Sequence, residues 1–244
     1  MIFTHSVINS TTATFLPYVL FAVLLLRPAV NRKIFFAGIT CYMLSEGMQL
    51  CLEAPFLVEQ DVYSPLQEAY KVVVNAVLVL LTFSMYNSQH PVSQRSTYSA
   101  ILKRAALFGT GYTLFQSVFA FGKAFFTATN YTLATKLETA AVYSSINLFY
   151  VPALLCCFSA FIHGSTFWKI VVSRDLLNFV IIDSLVRYLK SYHYNDLFFE
   201  TWMGKTFGLW GSEILLRVLV VLQAVIVSYF GIHSGAAIEK KKHE

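Results

Sequence analysis

The stretch Val218-Leu219-Val220-Val221-Leu222-Gln223-Ala224-Val225-Ile226-Val227 is apolar at every position except Gln223. It lies inside a longer apolar segment, Phe207 to Ile232, whose only charged residues are Glu213 and Arg217. A bilayer needs about 20 consecutive apolar residues in a helix, and this segment supplies them. Glu213 and Arg217 stand one turn apart with the acid on the N-terminal side. In that arrangement each lowers the cost of holding the other in lipid.

The composition of the rest of the chain agrees with this segment. Of 244 residues, 57% are hydrophobic and 13% charged, and the charged share is about half that of a soluble domain. A polytopic membrane protein follows, all-α, as a seven-transmembrane-helix bundle over residues 1–238 with a short basic tail at 239–244. The seven expected spans are Thr12–Leu26, Ile34–Val58, Leu66–Tyr86, Leu102–Phe121, Leu137–Ile162, Phe167–Leu189 and Phe207–Ile232. Ser64-Pro65 gives the third a good helix start. The sixth is the most polar, since it holds Arg174, Asp175, Asp183 and Arg187. Met1 to Ser10 contains no Lys or Arg, so the first segment is expected to be a mature helix and not a cleaved signal peptide.

Placement of the basic residues sets the orientation. With the N-terminus lumenal, the inner loops hold Arg27, Arg32, Lys33, Arg95, Lys103, Arg104, Lys169 and Lys240 to Lys242, with Arg174 nearby. The outer loops hold Lys123, Lys136, Lys190 and Lys205. The bias puts the C-terminus in the cytosol. Asn130-Tyr131-Thr132 is then a glycosylation sequon in an outer loop. The ending Lys241-Lys242-His243-Glu244 has the form of a two-lysine retrieval signal read in the cytosol, which returns membrane proteins to the endoplasmic reticulum. Such a signal is an address, not an anchor. The alternative is a solvated basic tail of the kind positive-inside bias produces.

Within the spans, Glu46, Gln49 and Glu53 share one face of the second helix, and Glu68, Lys71 and Asn75 one face of the third. A Lys71–Glu53 pair would sit near the outer boundary. Asp183 and Arg187 are four apart in the sixth. Ser144, Ser145 and Asn147 in the fifth are of the kind that joins helices by close approach and hydrogen bonds. Ionisable residues in a membrane mark either a solute path or polar contacts inside a bundle. The second reading is preferred, because most of these acids have a basic residue one turn away or lie near a boundary. Glu46 is the exception, with no local partner.

The sequence has no HExxH, paired Asp motif or Gly-rich phosphate loop, so no enzyme activity, cofactor or metal is expected. All six histidines fall at expected loops or helix ends. Cys41, Cys51, Cys156 and Cys157 are expected to be small buried residues, with no disulfide framework. The net charge of +5 reflects loop placement and gives no ground for nucleic-acid readout.

A resemblance adds to this. His5 and Asn9 precede Pro17-Tyr18 in the first span. Gly38-x-Thr40 and Gln49-Leu50-Cys51 lie in the second, Met85-x-Asn87 follows the third, and Gly208-x-Trp210 through Leu216-Arg217 opens the last. In order and spacing these resemble the transmembrane protein 147 family, the small seven-span subunit of the back-of-Sec (BOS) complex. The lysine tail and the loop Ser191 to Thr206 depart from the family pattern. The resemblance implies an endoplasmic reticulum scaffold without catalysis. Its partners would be nicalin-like and NOMO-like membrane proteins, the Sec translocon and its ribosome, and membrane lipids, in support of multipass membrane protein biogenesis. The alternative is a seven-span transporter or receptor for a small molecule or lipid, which would line a water-filled cavity with Glu46, Glu53, Lys71 and Asp183. A subunit of another organelle complex is a third reading.

Overall fold

A computed structural model of the chain describes residues 2–26, 28–53, 65–90, 98–127, 133–191 and 214–233. Within these, the side chains at 2–6, 25, 52–53, 65–69, 71, 98–99, 135 and 183–191 are not described. The described residues form seven helices: α1 Ile2–Leu25, α2 Ala29–Glu53, α3 Pro65–Gln89, α4 Tyr98–Thr127, α5 Leu133–His163, α6 Thr166–Ser191 and α7 Ile214–His233. The fold is all-α. Five of the helices (α1, α2, α3, α5 and α7) are long and apolar enough to cross a membrane, so the chain is a multi-pass membrane protein.

The helices overrun the expected spans at several ends. α1 begins ten residues before Thr12 and α2 five residues before Ile34. In both cases the polar residues left out as flanks, Ser/Thr in α1 and Arg32-Lys33 in α2, are helical. Helical hydrogen bonding continues into the polar zone beyond the hydrocarbon, so hydropathy places a helix end too early. α3 does start at Pro65. A proline is well placed there because a helix's first N–H groups have no intrahelical acceptor.

The chain divides into two compact units, Met1–Leu44 with Leu102–Pro152, and Ser45–Ile101 with Ala153–Glu244. In the first unit the most deeply buried helix is α4. Ala105, Leu107, Phe108, Thr110, Tyr112, Thr113, Ser117 and Phe121 are all buried, which means more than one side of the helix is covered by protein. A helix enclosed by others can carry small and hydroxyl residues that lipid would disfavour. Its hydroxyls are satisfied locally. Thr110 donates to the Ala106 carbonyl (2.7 Å) and Ser117 to that of Thr113 (2.8 Å), a bond that lets a hydroxyl sit in a helix without water.

Two glycines set the approach of α2 to α4. A Cβ on Gly38 would overlap the Phe108 carbonyl and lie 2.9 Å from the Tyr112 nitrogen. A Cβ on Gly111 would overlap the Phe35 carbonyl. Backbone meets backbone here, and only glycine leaves room. Beside this contact the Tyr42 ring meets Tyr112 edge-on at 5.0 Å and Phe115 at 5.9 Å. Farther along, Phe15 of α1 meets Phe121 at 5.2 Å, over a cluster of Leu137, Ala140 and Ala141 from α5. Small residues on one helix receive the rings of another.

In the second unit α5 ends at His163 and α6 begins at Thr166. The Gly164 N–H donates to the Ala160 carbonyl (2.8 Å), and the Lys169 N–H donates to the Ser165 carbonyl (2.9 Å). So tight a turn makes α5 and α6 antiparallel neighbours. α3 packs along α6. α7 runs antiparallel to α6: the Trp168 ring stacks on Phe230 (5.9 Å, 12° between planes), and Asp175, two turns on, meets Gln223.

The glycine contacts give a test. Gly111→Val, in which the new side chain meets Phe35 backbone, is expected to destabilise the folded protein by about 1–3 kcal/mol or to abolish its folded yield. Gly122→Ala, where a Cβ would meet nothing within 4 Å, should be neutral or slightly stabilising. Thermal unfolding in detergent reads both, and equal midpoints for the two variants would contradict the packing described.

Candidate functional site

The polar residues inside the second unit converge on one place. Val172, Asp175 and Phe179 recur at helix spacing on the buried face of α6. Val220, Ala224 and Ser228 do the same on α7. Asp175 is 2% exposed. Its Oδ1 accepts a hydrogen bond from Gln223 Nε2 at 2.5 Å. Its Oδ2 has no hydrogen-bond partner among the described residues. The Arg174 guanidinium lies 3.8 Å from Oδ1, beyond hydrogen-bond length, so that contact is electrostatic. Gln223 is the single polar residue in the apolar run of α7. An amide with no water to bond must find a group on a neighbouring helix, and Asp175 is that group.

At the next residue of α7 the Ala224 carbonyl accepts from two donors, the Ser228 hydroxyl (2.5 Å) and the Cys157 thiol of α5 (3.6 Å). Ser228 Oγ is 3.6 Å from the same sulfur. A helix carbonyl keeps a second lone pair after its own helical bond, and here it joins α5 to α7. The first unit has contacts of the same type. The Tyr18 and Ser117 hydroxyls meet at 3.1 Å across α1 and α4. Asn147 Nδ2 donates to Gln116 Oε1 at 3.1 Å across α5 and α4.

The residues singled out in the sequence fall as follows. Glu46 is half-buried and makes no hydrogen bond or ion pair among the described residues. Gln49 and Asn75 are half-buried, and each has a partner. Arg217 is buried on the inner face of α7. Ser144 is buried, Ser145 bonds its own helix at Ala141, and Asn147 bridges to α4. Asp183 and Arg187 are on α6 and Glu53 and Lys71 on α2 and α3, but their side chains lie outside the described residues, as do Glu68's. Asn130, Glu213, Lys241 and Lys242 lie outside them altogether.

The cysteine expectation needs correcting. Cys156 and Cys157 are buried, but Cys41 is half-buried and Cys51 exposed. Both sit on α2, where lipid-compatible residues such as Met43, Leu44, Met48 and Leu50 also face outward. A thiol is apolar enough to sit among them, so an apolar segment does not tell inside from outside. The Asp175–Gln223 bond and the Cys157–Ala224–Ser228 group were the contacts that reading the spans one at a time could not supply.

As chemistry, this arrangement holds helices together. Cys157 Sγ meets a carbonyl and a hydroxyl, neither of which can act as its base. No group of three or more His, Cys, Asp or Glu side chains suited to a metal occurs among the described residues. No family model matches the chain, and neither the curated proteins nor the solved structures contain a match.

Gln223→Leu is expected to leave the Asp175 carboxyl without its donor and to lower stability by about 1–3 kcal/mol. Asp175→Leu combined with Gln223→Leu should recover most of that loss, since an apolar pair leaves nothing unsatisfied. Unfolding followed by tryptophan fluorescence measures both, and a Gln223→Leu protein as stable as the parent would contradict the assignment.

Proposed function

We propose that this chain is a non-catalytic scaffold subunit of an endoplasmic reticulum membrane complex. It crosses the membrane seven times, with its N-terminus in the lumen and its C-terminus in the cytosol. Its partners are nicalin-like and NOMO-like membrane proteins beside the Sec translocon, and its role is to support multipass membrane protein biogenesis. The observation that carries the reading is how the polar side chains are used. Tyr18, Ser117, Gln116, Asn147, Cys157, Asp175, Gln223 and Ser228 bond one helix to another. The outward surface of the helices is rich in large apolar residues, among them Leu24, Val30, Phe149 and Ile170. A protein built this way acts through helix packing. The resemblance along the spans supports the compartment and the partners, and basic-residue placement supports the orientation.

A second reading, a transporter or receptor for a small molecule or lipid, has one observation in its favour: the unbonded Oδ2 of the buried Asp175. A carboxylate oxygen enclosed in a bundle is a place where a cation or proton could sit.

Purification in mild detergent from native membranes separates the two. The scaffold reading expects nicalin-like and NOMO-like proteins, translocon subunits and ribosomes in the eluate. Removal of the chain should lower multipass clients while single-span and secreted proteins are spared. A protein that purifies alone and moves a solute in liposomes would overturn this reading in favour of the second.

A further inference from the structure

α6 carries its charges on two different faces. Asp175 is buried against α7, while the neighbouring Arg174 points away from the bundle with its side chain 70% exposed. Around it, Phe167, Ile170, Leu177 and Ile181 are also exposed. The spacing 167, 170, 174, 177, 181 alternates steps of three and four. That is the spacing of a seam that packs against one other helix. Arg174 is at its centre.

The contacts of α6 with α7 fix the depth of this arginine. Trp168 lies against Phe230, and Asp175 against Gln223. Gln223 is at the middle of the apolar helix Ile214–His233. If α7 spans the bilayer, Arg174 lies near the midplane, about 15 Å from either surface. An arginine side chain reaches roughly half that distance, too little to bring its charge to the headgroups. The guanidinium stays 3.8 Å from Asp175 Oδ1, at its own level of the helix. It makes no hydrogen bond among the described residues, although a guanidinium has five N–H donors. Asp175 already accepts from Gln223 and offers charge without a hydrogen bond. Lipid tails offer neither.

We propose that the outward face of α6, centred on Arg174, docks a membrane-spanning helix of another protein that carries an aspartate or glutamate at the level of this arginine. A carboxylate there would accept two parallel N–H bonds from the guanidinium, and the apolar seam would pack on either side of the pair. The inference rests on the scaffold reading above, because it takes α6 and α7 as spans of a subunit with membrane partners. It adds the face used and the chemistry of the partner.

Photocrosslinking in native membranes tests it. Benzoylphenylalanine is placed at Ile170 or Leu177 on the seam, and at Val225 on the exposed side of α7 as a control. The adducts are identified by peptide sequencing. The expected result from both seam positions is a peptide from a membrane-spanning segment of another protein, containing an acidic residue. Arg174→Leu or neutralisation of that acid should each cut adduct yield roughly fivefold or more, Arg174→Lys should retain part of it, and exchanging the two charges should restore it. Lipid adducts only, adducts to a second copy of this chain, or a spanning peptide without a carboxylate would each overturn the proposal. So would a yield indifferent to Arg174→Leu. Should that variant fail to fold, the identity of the adduct in the unsubstituted background still decides. An acidic helix from a protein unrelated to nicalin, NOMO or the translocon would keep the docking face and remove the scaffold reading. A complex that co-purifies while the seam yields only lipid would do the reverse.

Discussion

Inside a bilayer a polar side chain has no water to bond, so a neighbouring helix must supply its partner. The hydrogen bond between Gln223 and Asp175 is where this constraint acts most strongly on this chain. Gln223 interrupts the most apolar segment, and Asp175 is buried in one of the most polar helices. Neither residue is well placed alone. Together they fix which face of α6 meets α7 and at what height. The adjoining Cys157–Ala224–Ser228 group then adds α5 to the same contact. The unit thus takes its register from a few polar bonds, because lipid and leucine are equally apolar and burial in lipid discriminates weakly between one helix pairing and another.

The first unit meets the same constraint with smaller groups. There α2 and α4 each carry a glycine where their backbones meet, and α4 carries hydroxyls that bond within their own helix. Dispersion contacts at short backbone distance take the place of a charged pair, and the Tyr42 and Phe15 rings fill the space that small residues leave. Close backbone approach is thus added in the first unit to polar bonds between helices, Tyr18–Ser117 and Asn147–Gln116, of the kind that join the second.

Much of the fold was legible in the sequence, since hydropathy and length are properties of single segments. The helical class and helices at all seven expected places follow from them, and Ser64-Pro65 marks the start of α3 to within one residue of the expected Leu66. The ends were less legible: Arg32 and Lys33 read as a boundary yet are helical, because helices continue into the polar interface. The site was less legible still. Asp175 and Gln223 are both visible as polar residues in apolar surroundings, but their pairing depends on the rotation of two helices, which single-sequence periodicity does not contain. Cys51 shows the same limit. Its segment is apolar on both its lipid side and its protein side, so nothing in its neighbours marks which side it faces.

The central claim is that the polar groups inside the second unit join helices in a dry interior and do not line an aqueous path. Cys157 reports on this directly, since its sulfur touches Ala224 and Ser228 beside the Asp175–Gln223 bond. A water-soluble maleimide reacts only with a thiol that water reaches. Native membranes are treated with the reagent and each cysteine is quantified by mass spectrometry, with a second sample labelled after unfolding in detergent. The account predicts that Cys156 and Cys157 stay unmodified in the native membrane and label fully once unfolded. Rapid labelling of Cys157 in the intact protein would contradict it and point to a water-filled route past Asp175.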